Sequence, residues 1–235
     1  MLILAIDTTM AGCSLALVKG TADQPEVLFE QQTIMRHGQA ESLLPAIGDA
    51  LKQTGHQTRD ITGVAAATGP GAFTGIRVGL AAARGFALAL DCPGIGIDSF
   101  SLYRAMALNS GIAEHAPLLL AIDSRRAEHY LQAHVHGRVT EASLALADID
   151  GWLTGLGAAD DGWSVLGDIS DQVADNLTQA TISNSRQSLL DPALLATMAM
   201  TRLDQADDYP LNPSYHRPPD AVPAKPTRVW LADQG

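Results

Sequence analysis

Asp7, Thr8 and Thr9 follow directly on an apolar run, Leu2–Ile6. A carboxylate beside two hydroxyls at a strand end suits a magnesium-bound phosphate, held through water and backbone N–H groups. The same residues suit an Asx or Ser/Thr turn that only caps a hairpin, and spacing alone does not choose between the two. The second candidate is Gly69-Pro70-Gly71-Ala72-Phe73-Thr74-Gly75. Glycines let a backbone come close to a ligand, and a following helix offers unpaired N–H groups and the positive end of its dipole. Gly69, Gly71, Thr74 and Gly75 are therefore candidate anion or nucleotide contacts, with tight packing as the competing explanation. No Gly-Lys-Ser/Thr closes the loop, and its Gly-x-Gly-x-x-x-Gly spacing is not the dinucleotide-binding fingerprint.

Other chemistry-bearing residues are sparser. His134-x-His136 falls on an expected strand, and His37 and Glu41 on one face of an expected helix. With no His-Glu-x-x-His and no Cys-x-x-Cys, exposed positions explain these histidines better than a metal does. A Gly-x-Ser-x-Gly nucleophile elbow is also absent. Asp123-Ser124-Arg125-Arg126 closes a strand, where Arg126 suits a phosphate or a partner carboxylate as well as a solvated turn.

These residues need elements to hold them. Runs at 2–6, 64–67 and 117–123 are continuously apolar, the mark of strands buried on both faces. Residues 13–18, 27–34 and 94–97 supply further strands, and 128–136 alternates like a half-exposed antiparallel strand. Ala40, Leu43, Leu44, Ile47, Ala50 and Leu51 recur at helical spacing within 37–54, where Pro45 is expected to kink the helix. Helices are also expected at 99–110, 145–156 and 191–205, the last capped by Asp191-Pro192. Each half of the chain opens with strands and ends with helices, which suggests a duplicated architecture. From Ile76 to Leu90 only Arg77 and Arg84 are charged. A helix apolar nearly all round must be buried nearly all round, so its outer face is expected to meet a partner or a later segment of the same chain.

Composition narrows the classes. The 235 residues are 46% hydrophobic and 17% charged, with mean hydropathy +0.07, which excludes a disordered chain. A net charge of −11 argues against gripping nucleic acid unaided, so any binding of tRNA by the isolated chain is expected to be weak and salt-sensitive. Cys13 and Cys92 are expected to be buried thiols. The N-terminus has no basic region before its apolar run, and glycine or charge breaks every long apolar stretch, so a cytoplasmic protein without a membrane span is expected. Half of the 12 prolines lie from Pro210 onward, and Pro218–Pro226 reads as an extended tail. That tail carries Arg217, Lys225 and Arg228 against Asp220 and Asp233.

Taken together, Ile3–Thr9, Gly69–Gly79, Ala121–Tyr130 and Pro213-Ser214-Tyr215-His216-Arg217 resemble the TsaB (YeaZ) family. The resemblance implies an α/β, actin-like (ASKHA, RNase H-like) two-lobed fold with mixed sheets flanked by helices. It places an N-terminal lobe at 1–99, a smaller lobe at 100–209 and a tail at 210–235. It implies a scaffold subunit, with no catalytic residue and no activity of its own, in the synthesis of threonylcarbamoyladenosine beside the tRNA anticodon. The implied partners are a catalytic TsaD-like paralogue, met through the first two helices, and a TsaE-like ATPase; TsaC-type enzymes supply threonylcarbamoyl-adenylate. A homodimer through the same helices is the alternative pairing, and tRNA is reached only through the complex. The implied surface takes in His37, Glu41, Leu44, Gly79, Ala82, Ala83 and Phe86. No cofactor or metal is implied for the isolated chain, and ATP or ADP is left to the complex. Ser99 and Tyr103 stand where the paralogue carries its two metal-binding histidines, and neither is a good iron or zinc ligand. The rival readings are a small actin-like ATPase or kinase built on Asp7 and the glycine loop, and a metallopeptidase.

Overall fold

The computed structural model describes residues 1–157, 162–178 and 182–216. Pro218–Pro226 and the basic residues Arg217, Lys225 and Arg228 lie outside them. The first sheet holds β1 (Leu2–Asp7), β2 (Gly12–Thr21), β3 (Gln24–Ile34), β4 (Gly63–Ala67) and β5 (Gly94–Ile97), in the order β3-β2-β1-β4-β5. β1 pairs antiparallel with β2, and β2 with β3, while β4 and β5 run parallel to β1. The second sheet holds β6 (Leu118–Ile122), β7 (His129–Val135), β8 (Arg138–Leu144), β9 (Trp163–Gly167) and β10 (Ile182–Arg186). Its order, β8-β7-β6-β9-β10, repeats the first sheet strand for strand, with the same parallel and antiparallel pairings. The duplicated architecture is thus present in topology although the two halves share little sequence.

The layers follow from strand alternation. Leu2, Leu4 and Ile6 of β1 face α1 (Gln39–Thr54) and α2 (Phe73–Leu90), joined there by Leu43, Ile47, Ile76 and Leu80. Ile3 and Ala5 face the opposite way, into a core shared with α3 (Ser99–Asn109), α6 (Pro192–Met200) and Leu118, Leu120 and Ile122 of the second sheet. Leu119, Ala121 and Leu131 pack outward under α4 (Leu146–Gly155) and α5 (Ser170–Asp175). The order of layers is therefore α1 and α2, first sheet, α3 and α6, second sheet, α4 and α5.

Several local expectations change. α1 starts at Gln39 behind Gly38 at φ 93°, so His37 precedes the helix instead of sharing its face with Glu41. The expected helix at 191–205 ends at Met200 and gives way to 3-10 turns at Leu203–Asp208. Cys13 is buried, but Cys92 is only half-buried at the end of α2. Pro210–His216 runs back along the first sheet: Gly96 N–H donates to Tyr209 O, Ser214 N–H donates to Thr68 O, and Leu211 is buried.

Two glycines of α2 play opposite parts. A Cβ on Gly75 would lie 1.9 Å from Thr8 O, whereas one on Gly85 meets nothing within 4 Å. Gly85→Ala is therefore expected to stabilise the protein by about 1 kcal/mol through helix propensity. Gly75→Ala is expected to destabilise it by about 1–3 kcal/mol or more through overpacking. Urea unfolding of the two variants beside the parent checks both signs.

Candidate functional site

The Asp7 turn and the glycine loop are brought together, and they are occupied with each other. Asp7 Oδ1 accepts from Thr9 N–H at 2.8 Å and from Thr9 Oγ1 at 2.6 Å. Thr8 Oγ1 donates to Gly75 O at 2.6 Å, and Ala72 N–H donates to Thr9 O at 2.7 Å. A Cβ on Gly71 would come 2.4 Å from Thr9 O, and one on Gly79 would come 2.7 Å from Thr8 Oγ1. The space that three glycines four residues apart leave open is filled by the Thr8–Thr9 turn, so the first turns of α2 sit directly on the end of β1. Gly69, at φ +100°, gives room to Ile76 and to Ser214 O. Thr74 alone of the candidate loop contacts is exposed. The donors and acceptors expected to cradle a phosphate here largely hold protein, and Asp7, Thr8 and Thr9 are buried.

The second lobe carries a counterpart. Asp123 follows β6 as Asp7 ends β1, and Arg125 N–H donates to Asp123 Oδ1 at 2.8 Å, as Thr9 does to Asp7. Arg125 takes φ 61° and pairs with Asp123 at 3.4 Å. Asp168, just past β9, accepts from Asp123 N–H at 2.8 Å. Sequence reasoning misses Asp168, although Trp163-Ser164-Val165-Leu166-Gly167-Asp168 has the same form of a mostly apolar run closed by a carboxylate. Arg126 is exposed on the same turn. Tyr103 lies in the core between the lobes and donates to Gln187 O at 2.7 Å. Burial, followed by the Asp168 and Asp7 charges, holds its phenol well above the ordinary value. Ser99 is buried too, its Oγ without a hydrogen-bond partner among the described residues. Ser99 and Tyr103 are thus both enclosed.

His134 corrects another expectation. It is buried rather than exposed, because Arg104 of α3 reaches across to its Nδ1 at 3.2 Å while Gln132 Oε1 lies 2.7 Å from its Nε2. Burial, with Arg104 beside it, pushes its pKa down to about 4. His136 remains exposed at φ 52° on the β7–β8 turn. Among the described residues, no three His, Cys, Asp or Glu side chains converge as a metal site requires.

Large apolar side chains are exposed at Val27, Ile34 and Val139 and on the first two helices. α1 and α2 lie side by side on the first sheet, and their outer face shows Leu44 at 58%, Phe73 at 55% and Leu88 at 86% exposure. On α2, Ala81, Gly85 and Ala89 are exposed, as are Arg77, whose guanidinium lies 4.0 Å over the Phe73 ring, and Arg84, one turn before Leu88; Ala82 and Phe86 are half-buried, and His37 and Glu41 are exposed. Gly79 and Ala83, expected on this surface, are buried instead, Gly79 against Thr8 and Ile6 at the end of β1. The composition of α2 predicts cover nearly all round, yet only Gly75, Ile76, Gly79, Leu80 and Ala83 are buried within the chain. By length and composition alone it is, among the described residues, the helix apolar enough to cross a membrane.

Burial pushes the Asp7 carboxyl up from 3.8 to about 6, against the lowering effect of the Thr9 bonds. Between those two values the folded chain binds the proton more tightly than the unfolded one. Stability from this group is complete below pH about 4 and is lost as pH rises through about 6. Asp7→Asn keeps an acceptor for Thr9 and removes the buried charge. It is expected to raise the unfolding free energy by about 2 kcal/mol at pH 7.5 and to change it little at pH 4, as read by urea unfolding at both pH values.

A family model described as "TsaD: tRNA N6-adenosine threonylcarbamoyltransferase" matches residues 32–150. The Escherichia coli protein named tRNA threonylcarbamoyladenosine biosynthesis protein TsaB is 35% identical over 152 residues, covering 61% of this chain and 62% of that relative. The match therefore spans less than two thirds of the E. coli protein. The Bacillus subtilis protein of the same name is 28% identical over 230 residues, covering 92% and 94% of the two chains. Among solved structures, YeaZ from Pseudomonas aeruginosa superposes with a TM-score of 0.71 at 23% identity, over 91% of this chain and 99% of that one, which establishes the shared fold. With its two mixed sheets, each flanked by helices, and with these relatives along its length, the chain belongs to the TsaB (YeaZ) family.

Proposed function

We propose that this protein acts in tRNA threonylcarbamoyladenosine biosynthesis as a non-catalytic scaffold subunit, seating a TsaD-like catalytic chain on the outer face of α1 and α2. The observation that carries this reading is the exposure of Leu44 on α1 and of Leu88 on α2, the latter beside exposed Ala81, Gly85 and Ala89. Large apolar side chains left in solvent on a helix mark a partner site when they are gathered on one face, and an interface of standard size takes roughly 800 Å² from each side. The names of the E. coli and B. subtilis relatives supply the process. A TsaE-like ATPase joins the pair, tRNA is met through the complex, and the setting is the cytoplasm. The net charge of −11 fits a subunit that leaves nucleic acid to its partners.

ATP or ADP belongs to that complex in this reading rather than to the Asp7 turn. Support comes from the filled space between Gly71, Gly75 and Thr8-Thr9, and from a buried Asp7 that already accepts two hydrogen bonds. The rival ATPase reading requires turnover by this chain alone.

An omit-one reconstitution tests the proposal. TsaD-like and TsaE-like proteins, tRNA, ATP and threonylcarbamoyl-adenylate are incubated with and without this chain, and modified adenosine is counted. Modification is expected to need the chain and to survive Asp7→Ala. Leu88→Arg is expected to weaken association with the TsaD-like chain at least about 30-fold, a loss of about 2 kcal/mol at a buried contact, while leaving the monomer's unfolding curve in place. Modification that proceeds without the chain, or tight association of Leu88→Arg, overturns the scaffold role. ATP turnover by the chain alone that is lost in Asp7→Ala establishes the rival.

A further inference from the structure

The segment Tyr209–His216 makes a specific path across the molecule. It begins on the outer edge of β5, where Gly96 N–H donates to Tyr209 O at 2.8 Å. It continues close over three glycines. A Cβ on Gly96 would lie 2.4 Å from Pro210 O, one on Gly94 would lie 2.6 Å from Leu211 Cδ1, and one on Gly69 would lie 3.0 Å from Ser214 O. Leu211 is buried in the α1–α2 core, and Ser214 N–H donates to Thr68 O at 2.8 Å.

The segment then engages both charged residues of α2. Arg84 Nη2 donates to Asn212 Oδ1 at 3.0 Å, and Arg77 Nε donates to Tyr215 OH at 3.1 Å. Arg77 also lies 4.0 Å over the Phe73 ring, whose centroid is 5.4 Å from that of Tyr215. Seven helical residues rise about 10.5 Å and return to the same face. Three extended residues, from 212 to 215, cover about 10 Å. The segment therefore runs antiparallel along α2 with a matching repeat. Its last described residue reaches the other lobe: His216 Nδ1 lies 3.5 Å from Glu141 Oε2 of β8, and its ring packs on Phe100 of α3 and Tyr130 of β7 at 5.6 and 5.9 Å.

We propose that Tyr209–His216 is an interlobe strap that couples the second lobe to α2. One end is fixed to the polar side of α2 through Arg77 and Arg84, and the other to the β7–β8 hairpin through His216. Loosening either end frees the other, and a load placed on α2 is felt at β8 in equal measure, because coupling free energy is reciprocal. The inference does not depend on what occupies the outer face of α2.

Hydrogen exchange on the full-length chain tests it, because each end can be altered and the opposite end read. His216→Ala removes contacts to α3, β7 and β8 and one to Ser214 Oγ within the strap, none of them to α2, yet it is expected to speed exchange of the α2 amides from Ile76 to Leu80 about tenfold, the equivalent of about 1.4 kcal/mol in local opening. Arg77→Met is expected to speed exchange in β8 similarly. Central β1 amides should keep their parent rates in both variants. Should Arg77→Met fail to fold, Asn212→Ala breaks the second fastening to α2 and carries the same expectation. Acceleration confined to the altered end overturns the strap. So does equal acceleration throughout, β1 included, which is general destabilisation.

Discussion

The structure depends on one close approach. Gly71, Gly75 and Gly79 bring the start of α2 onto the backbone of Thr8 and Thr9, at distances that no side chain would permit. The contact is locked by Thr8 Oγ1 donating to Gly75 O and by Ala72 N–H donating to Thr9 O. From it follow the burial of Asp7, the closure of the turn at the end of β1, and the orientation of α2. Once Gly79 and Ala83 are buried, Ala81, Gly85, Leu88 and Ala89 have to face outward. The same packing that fills a potential anion cradle thus creates the apolar surface.

The two lobes show how one topology is put to different uses. Both central strands end in a carboxylate that accepts an N–H two residues later, Thr9 for Asp7 and Arg125 for Asp123. In the first lobe the next crossover is an 18-residue helix bedded on glycines; in the second it is the 6-residue α5. Without a long helix pressing on its turn, Asp123 stays partly open to solvent and pairs with Arg125, and Arg125 accepts a left-handed backbone that few non-glycine residues adopt. The first lobe therefore offers a surface, and the second keeps an open, charged turn.

Much of this is legible in the residue pattern. The central strands β1, β4 and β6 are, because burial on both faces leaves an uninterrupted apolar run. β8 is not: it is an edge strand carrying Arg138, Thr140 and Glu141. α5 is too short to display a helical period, and β9 has three large apolar residues between turns. At the site, the turn and the loop both stand out, but not that they are each other's ligand, since a loop glycine gives no sign of whether backbone or phosphate takes the space it leaves. His134 falls on the polar side of an alternating strand, and what encloses it is Arg104, 30 positions away. Tyr215 and His216 are visible only as part of a short motif. Their partners Arg77 and Glu141 come from different lobes, and no local pattern joins them.

The outer face of α2 is the feature that folding alone does not explain. Its exposed positions have no steric reason to be apolar: a Cβ at Gly85 would meet nothing within 4 Å, and Leu88 is almost wholly in solvent. Lysine or glutamate at these sites would raise helix propensity above that of glycine and improve solubility at no cost to the core. The chain has 41 charged residues, 15 basic and 26 acidic, and places none on the stripe formed by Ala81, Gly85, Leu88 and Ala89. The two charges on the helix, Arg77 and Arg84, lie beside that stripe and bond to Tyr215 and Asn212. An exposed stripe of glycine, alanine and leucine is thus favoured neither by packing on the sheet nor by helix propensity alone.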